Sequence, residues 1–414
     1  MNHSDMKALN REKILGLLLA SPLLSRVELA QRASVSPAVV SNIIKDCLEE
    51  EIVREVSEGP SRGGRKPILL SFVPESRLAA GLIPATVTEF AVADLAGRIL
   101  FREKITGKAY PTPGEQAGYL KKVLGGFLQE NELSWDHLVA LGIGIPGIYD
   151  PVLDRIHKMG KVSGLMAWEG ASVREIFSRE LPCPVLVFDK VVAIAFSEGI
   201  LRSDDSKINL VYLHLGRGVG AGLILDGKIY RGSQGAAGEV GYMVDRFDDS
   251  KASPVSLHDI PALEDEISLN SLLRKYREAC GHSIKSREMI FSGEDISALV
   301  QAFRKGERRC REIVEPVFER AAELVVNLAA VLNPGQIVLG GELTEIFADS
   351  LFQRIRDRLH RSVLFPPSVE PVTLGKDEEI VGALYFAIDD FFNQLTGGHQ
   401  GLTASFLARY TPNG

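Results

Sequence analysis

The chain has 414 residues, 45% of them hydrophobic and 24% charged, with 47 Lys and Arg against 54 Asp and Glu. At about 150 residues per domain this length predicts two or three packed domains, and the composition excludes disordered, collagen-like and fibrous chains. A net charge of −7 excludes a protein coated in basic surface but leaves room for one locally cationic domain. Cys47, Cys183, Cys280 and Cys310 form no C-x-C or C-x-x-C pair, which fits a reducing compartment. Asp5, Lys7, Arg11, Glu12 and Lys13 precede an apolar run at 14–20 that is too short to span a bilayer, so the expectation is a cytoplasmic protein without membrane contact.

Taken in chain order, Leu9, Ile14, Leu15, Leu17, Leu18 and Leu19 gather on one face of a first helix at 8–20. Ser25 and Glu28 make a capping box that opens a second helix at 26–32. Ser36 can cap, and Pro37 occupy the first turn of, a third helix whose Val39, Val40, Ile43, Ile44, Cys47 and Leu48 face inward. Its other face shows Ala38, Ser41, Asn42 and Lys45. Strands at 52–56 and 68–72 flank a long Gly-, Pro- and Arg-rich hairpin tip, whose 61–67 segment holds Arg62, Arg65 and Lys66 and no acid.

Three helices and a hairpin predict a winged helix-turn-helix. The third helix, with Ser36, Pro37, Ala38, Ser41, Asn42 and Lys45, would enter a major groove, and the tip would reach the flanking backbone or minor groove. Residues 1–76 carry ten Lys or Arg and ten Asp or Glu, so the head is neutral while the remainder carries the negative charge. A small protein-interaction module is the alternative reading of the same helices.

Beyond residue 76 the pattern changes to strands at 77–83, 89–94 and 98–104, a helix at 114–130 and an apolar strand at 138–145. A strand at 184–188 feeds a helix through 198, and strands at 208–215 and 221–225 precede an Asp226-Gly227 turn. A helical stretch at 268–332, with a kink expected at Pro316, leads to a strand at 336–339 and helices at 349–363 and 378–392. These alternations predict a two-lobed α/β body with a cleft. Expected boundaries are a head at 1–76, a small lobe at 77–200 completed by a helix at 377–395, a large lobe at 201–376 and a tail at 396–414.

From Asn10-Arg11 to about Ala387 the sequence resembles the ROK family of repressors and sugar kinases, in its regulator branch with an N-terminal winged helix. The resemblance rests on Leu24-Ser25-Arg26-Val27-Glu28-Leu29-Ala30, Gly64-Arg65-Lys66-Pro67, Gly142-Ile143-Gly144-Ile145-Pro146-Gly147, Leu215-Gly216-Arg217-Gly218-Val219-Gly220-Ala221-Gly222, Gly238-Glu239-Val240-Gly241, and Asn333-Pro334 through Gly340-Gly341. It implies an actin-like ATPase body, two α/β lobes around a sugar site, and it names the residues that a kinase of the family needs. The first phosphate loop, an Asp-x-Gly-Gly-Thr turn in the family, reads Gly81-Leu82-Ile83-Pro84-Ala85-Thr86-Val87-Thr88 here, without Asp or a glycine pair. Pro84 removes an amide donor and Ala85 and Thr86 hinder close backbone approach. The Asn-Asp pair holding the catalytic base reads Asp189-Lys190, which puts an ammonium where a general base belongs. No catalytic residue and no cofactor are therefore expected, and an ATP-dependent sugar kinase with a fused head is the alternative.

The family's zinc ligands are replaced by Tyr242, Val255, Leu257 and Ala262, which lack zinc-binding groups of the family's kind, so no metal is expected and apolar packing should hold that loop; His258 alone makes no site. Two carboxylates of the family's sugar site match, Glu239 and Glu264, whereas Gly164, Asp189, Lys190 and Tyr242 stand where the family has other residues. Two outcomes stay open. Lys190 pairs with Glu239, Glu264 or an acidic ligand such as a phosphorylated sugar or sugar acid, or the pocket has lost its effector. The function expected is a DNA-binding repressor of carbohydrate-related genes, acting as a homodimer or dimer of dimers on double-stranded operator DNA.

Overall fold

The structure is a computed structural model that describes residues 3–21, 23–58, 66–85, 87–105, 112–159, 165–202, 208–243, 263–282 and 291–396. The head comprises α1 (His3–Ala20), β1 (Leu24–Ser25), α2 (Arg26–Ala33), α3 (Pro37–Glu49), β2 (Val53–Glu58) and β3 (Ile68–Phe72), with sheet order β1-β3-β2. The Ser25 hydroxyl accepts the Glu28 N–H at 3.3 Å and the Glu28 carboxylate accepts the Ser25 N–H at 2.8 Å, the reciprocal cap that the sequence indicates. Helix α2 ends at Ser34 in the left-handed conformation (φ 56°), and Ser36 opens α3 by accepting the Val39 N–H at 3.4 Å. Ile14, Leu15, Leu29, Val40, Ile43, Ile44, Cys47 and Leu70 are buried together, so the inward face read for the third helix is its core face.

In the body, β4 (Leu78–Ile83), β5 (Thr88–Asp94) and β6 (Ile99–Ile105) are followed by α4 (Pro113–Glu130) and β7 (Leu138–Ile145). A hairpin of β8 (Gly147–Asp150) and β9 (Arg155–Met159), then α5 (Val173–Glu180), lead into β10 (Val185–Asp189) and α6 (Lys190–Arg202). The sheet order is β10-β7-β4-β5-β6, parallel on the β10-β7-β4 side and antiparallel on the other. The second sheet repeats this plan with β11 (Leu210–Leu215), β12 (Val219–Leu225), β13 (Lys228–Tyr230), β14 (Gln336–Gly340) and β15 (Ser368–Pro371), in the order β13-β12-β11-β14-β15. Around it lie α7 (Glu264–Ile267), α8 (Leu269–Ala279), α9 (Gly293–Arg304), α10 (Arg308–Leu332), α11 (Glu342–Ile346) and α12 (Ala348–Ser362). The last described element, α13 (Glu378–Thr396), lies against the first sheet.

Among the described residues the helical stretch at 268–332 comprises three helices, and Pro316 sits inside α10 without ending it. The β8–β9 hairpin, α5, β13 and β15 were not legible as elements, because each is short and leans on partners distant in sequence. Arg62, Arg65, Gly164, Val255, Leu257, His258 and Ala262 lie outside the described residues, as does the tail from 397.

Helix α13 positions everything that follows. It lies across β4 and β7 and beside α6, and its far end packs on α1 of the head. Its residues Ile380, Leu384, Ile388 and Phe392 belong to the same buried cluster as the head's Ile14, Leu29 and Ile44. Such close seating needs a bare backbone on β7: a methyl at Gly142 would stand 2.4 Å from the Ala383 carbonyl oxygen. Gly142→Ala should therefore destabilise the chain by about 1–3 kcal/mol in urea denaturation, since the obstacle is backbone that cannot swing aside. An unchanged midpoint would show that α13 is not held this closely.

Candidate nucleic-acid interface and inter-lobe pocket

Ser36, Pro37, Ala38, Ser41, Asn42 and Lys45 are all exposed, whereas Val40, Ile43, Ile44 and Cys47 on the same helix are buried. The Ser41 hydroxyl donates to the Pro37 carbonyl at 2.9 Å. Lys45 lies 3.7 Å from Glu49 across one helical turn, an exposed pair weak enough to leave the ammonium available to a phosphate or base edge. Lys66, where the described wing resumes, is also exposed.

The candidate effector site lies where β10 ends and the segment after β13, which carries Arg231, Glu239 and Tyr242, approaches it. Asp189, the last residue of β10, is 5% exposed and accepts the Tyr149 N–H at 2.8 Å. Burial pushes its carboxyl up to about 8; the Tyr149 N–H opposes the shift, Glu239 adds to it and Arg231 works against it. Near neutral pH Asp189 is therefore mostly a protonated carboxyl that can both donate to and accept from a hydroxyl.

Tyr242 belongs to the same group. Burial raises its hydroxyl first, and the fields of Glu264 and Glu239 raise it further, with a smaller push from Glu169. Asp189, Glu239, Tyr242 and Glu264 thus lie within reach of one another's fields. Sequence reasoning missed Arg231 beside them. Its Nη1 is enclosed without a hydrogen-bond partner, burial lowers its basicity, and its guanidinium carbon lies 5.9 Å from the Phe386 ring centroid.

Lys190 corrects the expectation made for it. Its ammonium pairs with Glu379 at the start of α13, not with Glu239 or Glu264. Burial alone would lower the lysine, but Glu379, Glu342 and Glu378 raise it overall, and Lys190 in turn holds Glu379 below the ordinary carboxylate range despite its burial. A lysine in the first turn of a helix opposes the helix dipole, so an acid close by is what makes this position tenable. Nothing in sequence spacing links residues 190 and 379.

Two glycine turns, at 216–218 and 340–341, lie against the protein's own carboxylates. Glu264 accepts the Val219 N–H at 2.9 Å beside the Gly216-Arg217-Gly218 turn, and Glu378 accepts the Gly341 N–H at 3.0 Å. The Glu342 carboxylate stands where a side chain at Gly216 would be, and Arg217 lies 3.5 Å from it. Backbone amides that would cradle an external anion already hold internal ones. At the family's first phosphate loop the chain turns instead through Pro84 and Ala85, whose carbonyl accepts the Thr88 hydroxyl at 3.2 Å.

A winged-helix head on two α/β lobes is the architecture of a DNA-binding transcriptional regulator built on a sugar-kinase scaffold. The chain belongs to the ROK family, whose sequence profile matches residues 83–390, and a winged helix-turn-helix DNA-binding profile matches residues 9–54. The xylose repressor of Caldicellulosiruptor bescii is 25% identical over 403 residues, 95% of this chain and 98% of that protein. The DNA-binding transcriptional dual regulator NagC of Escherichia coli (strain K12) is 24% identical over 354 residues, 82% of each chain. A crystal structure of a ROK family transcriptional regulator, a homolog of the E. coli MLC protein, shares the fold with a TM-score of 0.69 at 19% identity, covering 99% of this chain and 100% of that one. The ROK hexokinase from Thermus thermophilus shares the body fold with a TM-score of 0.59 at 20% identity, over 76% of this chain and 99% of that one.

Asp189 gives this pocket a pH signature. A carboxyl that holds its proton more tightly folded than unfolded makes the folded state lose stability as pH rises from the ordinary carboxylate range to about 8, and adds no further loss above it. Asp189→Asn should raise the melting temperature near pH 8 and change it little near about pH 4, close to the unfolded carboxylate value. An equal effect at both pH values would place the residue's ionisation in the normal range.

Proposed function

We propose that this protein is a sugar-responsive transcriptional repressor that binds duplex DNA through α3 and the wing, as a homodimer or dimer of dimers in the cytoplasm, and that it has no kinase activity. The observation that carries the reading is the division of α3. One face is sealed into the head core, and the other presents Ser41, Asn42 and Lys45 to solvent in a helix-turn-helix setting. Twofold symmetry would place two such helices on half-sites about 10–10.5 bp apart or a multiple of that. Asn42 suits an adenine edge, Lys45 a guanine or phosphate, and Arg62, Arg65 and Lys66 the flanking groove.

For the effector, the pocket favours a neutral polyhydroxylated sugar over an acidic one. Asp189, Glu239 and Glu264 supply acceptors for ligand hydroxyls, and Lys190, the cation that an acidic ligand was expected to use, is engaged by Glu379. Arg231 offers a donor from the opposite sign of charge. Two relatives named for xylose and N-acetylglucosamine support the same class. Against phosphoryl transfer stand the lysine in place of a base and the carboxylates seated in both glycine turns, since a nucleotide phosphate would meet fixed negative charge.

Selection of bound duplexes from random sequence should enrich an inverted repeat, an outcome that a protein-only partner cannot produce. On that duplex, Asn42→Ala should cost about 1–3 kcal/mol of specific binding, whereas Arg65→Ala should weaken all sequences alike and flatten the salt dependence. Gel-shift titrations in which both variants bind like the parent would remove α3 and the wing from the interface. In thermal-shift titrations, D-xylose or N-acetyl-D-glucosamine should stabilise the chain, by about 2.7 kcal/mol at 100 times the dissociation constant, and their phosphates should not. Sugar-dependent ATP turnover that disappears in Lys190→Ala would favour the kinase reading instead.

A further inference from the structure

Asp189 and Lys190 are consecutive residues with different allegiances. Asp189 ends β10 on the side of Tyr149, Glu239 and Arg231, and Lys190 begins α6 and holds the first turn of α13 through Glu379. The strand between them and the rest of the lobe is stiff: every residue of β10 from Val185 to Asp189 is in parallel register with β7. A change in how Asp189 is engaged therefore reaches Lys190 across one peptide bond.

At its near end α13 is gripped on three sides. Asp377, just before the helix, lies 2.7 Å from Arg102 of β6; Glu378 takes the Gly341 N–H at the β14–α11 turn of the other lobe; Glu379 takes Lys190 of α6. His214 of β11 lies 3.5 Å from Glu378 and is joined to the Tyr212 hydroxyl at 3.0 Å. These contacts fix the start of α13 to both sheets, so movement of one lobe against the other must load it.

At its far end the same helix meets the head. Phe392 lies 6.0 Å from Phe72, the last residue of the wing strand β3, and α13 packs on α1. Arg77 also donates to the carbonyl of Glu50, the residue that caps the C-terminus of α3, at 3.0 Å. From Glu379 to Phe392 the helix runs roughly 20 Å, and a packed helix moves as a rigid body over that length.

We propose that Lys190 and Glu379 are the positioning pair that couples occupancy of the pocket at Asp189 to the winged-helix head, with α13 as the rod between them. The proposal rests on the reading of the protein as a ligand-responsive DNA-binding regulator and adds the route by which the response travels. Lys190 acts through Glu379 and touches neither DNA nor ligand. Two bistable contacts are required by such a route, one at each end of α13, and the structure supplies an ion pair at one end and an aromatic contact at the other.

Amide hydrogen exchange on the full chain, free of DNA and sugar, tests the linkage by itself. Lys190→Gln and Glu379→Gln should each speed exchange about tenfold not only in the first turns of α6 and α13 but also in α1 and the last turns of α13. Lys190→Arg, and the reversed pair Lys190→Glu with Glu379→Lys, should restore the parental pattern. Faster exchange confined to the first turns, or no recovery in the reversed pair, overturns the proposal.

A second measurement follows DNA by fluorescence anisotropy with D-xylose and N-acetyl-D-glucosamine as probes. Where the parent releases its duplex on sugar, the two Gln variants should bind that sugar with unchanged affinity by calorimetry yet release DNA about tenfold less readily. Equal release in parent and variants also overturns the proposal. A parent that binds no duplex, or ignores both sugars, defeats the functional reading, while the exchange experiment still decides whether residues 190 and 379 are tied to the head.

Discussion

Helix α13 lies against the first body sheet where Gly142 leaves its path clear, and its last turns reach the head, where Phe392 meets Phe72. One buried cluster runs from Ile14 and Ile44 through Ile388 and Leu384 to Ala79 and Ala140, so the core of the head is continuous with that of the first lobe. A winged helix of this size buries little apolar surface when alone. Sharing α13 completes that surface, and the shared seating restrains where the head can stand relative to the pocket.

The second constraint is electrostatic. Glycine turns between strands present N–H groups to any nearby anion, and in this chain Glu264 and Glu378 take that place. Their presence gives the inter-lobe region a surplus of carboxylate, which burial then makes costly. The chain answers with hydrogen bonds from Val219 and Gly341, with Lys190 against Glu379, and with Asp189 keeping its proton. Under the proposed function, the same arrangement explains why a scaffold that resembles a kinase serves as a sensor. Its amides are spent on internal ligands, and its carboxyl groups suit ligand hydroxyls.

Much of this was legible in the sequence, for identifiable reasons. The Ser25 and Glu28 cap, the Ser36-Pro37 start and the inward spacing of Val40, Ile43, Ile44 and Cys47 are local signals, and each maps onto the matching element. The strands from 77 to 104 and at 138–145 were readable from apolar runs, as were the turn at Asp226 and the helices after 348. Asp189, Glu239, Tyr242 and Glu264 could be named as one group only because a family resemblance set them side by side. Arg231 and the partner of Lys190 could not be found this way. Arg231 follows a three-residue strand with no pattern of its own, and Glu379 stands in an acidic helix start that reads as ordinary dipole compensation. Pairing between residues 189 positions apart is a property of topology, which composition and periodicity do not encode.

Two natural probes report on the two sides of the shared core. Both tryptophans, Trp135 and Trp168, pack in the first lobe, and Cys47 is fully buried in the head, where burial pushes its thiol up to about 11 and keeps it unreactive. The most direct measurement is a urea titration that follows tryptophan fluorescence and pulse labelling of Cys47 together, with labelled peptides resolved by mass spectrometry. If α13 unites head and lobe, Cys47 becomes reactive over the same urea range in which the tryptophans lose their native signal. Labelling of Cys47 at urea concentrations where the fluorescence is still native would mean that the head opens on its own, and the shared core would then be the wrong basis for this molecule.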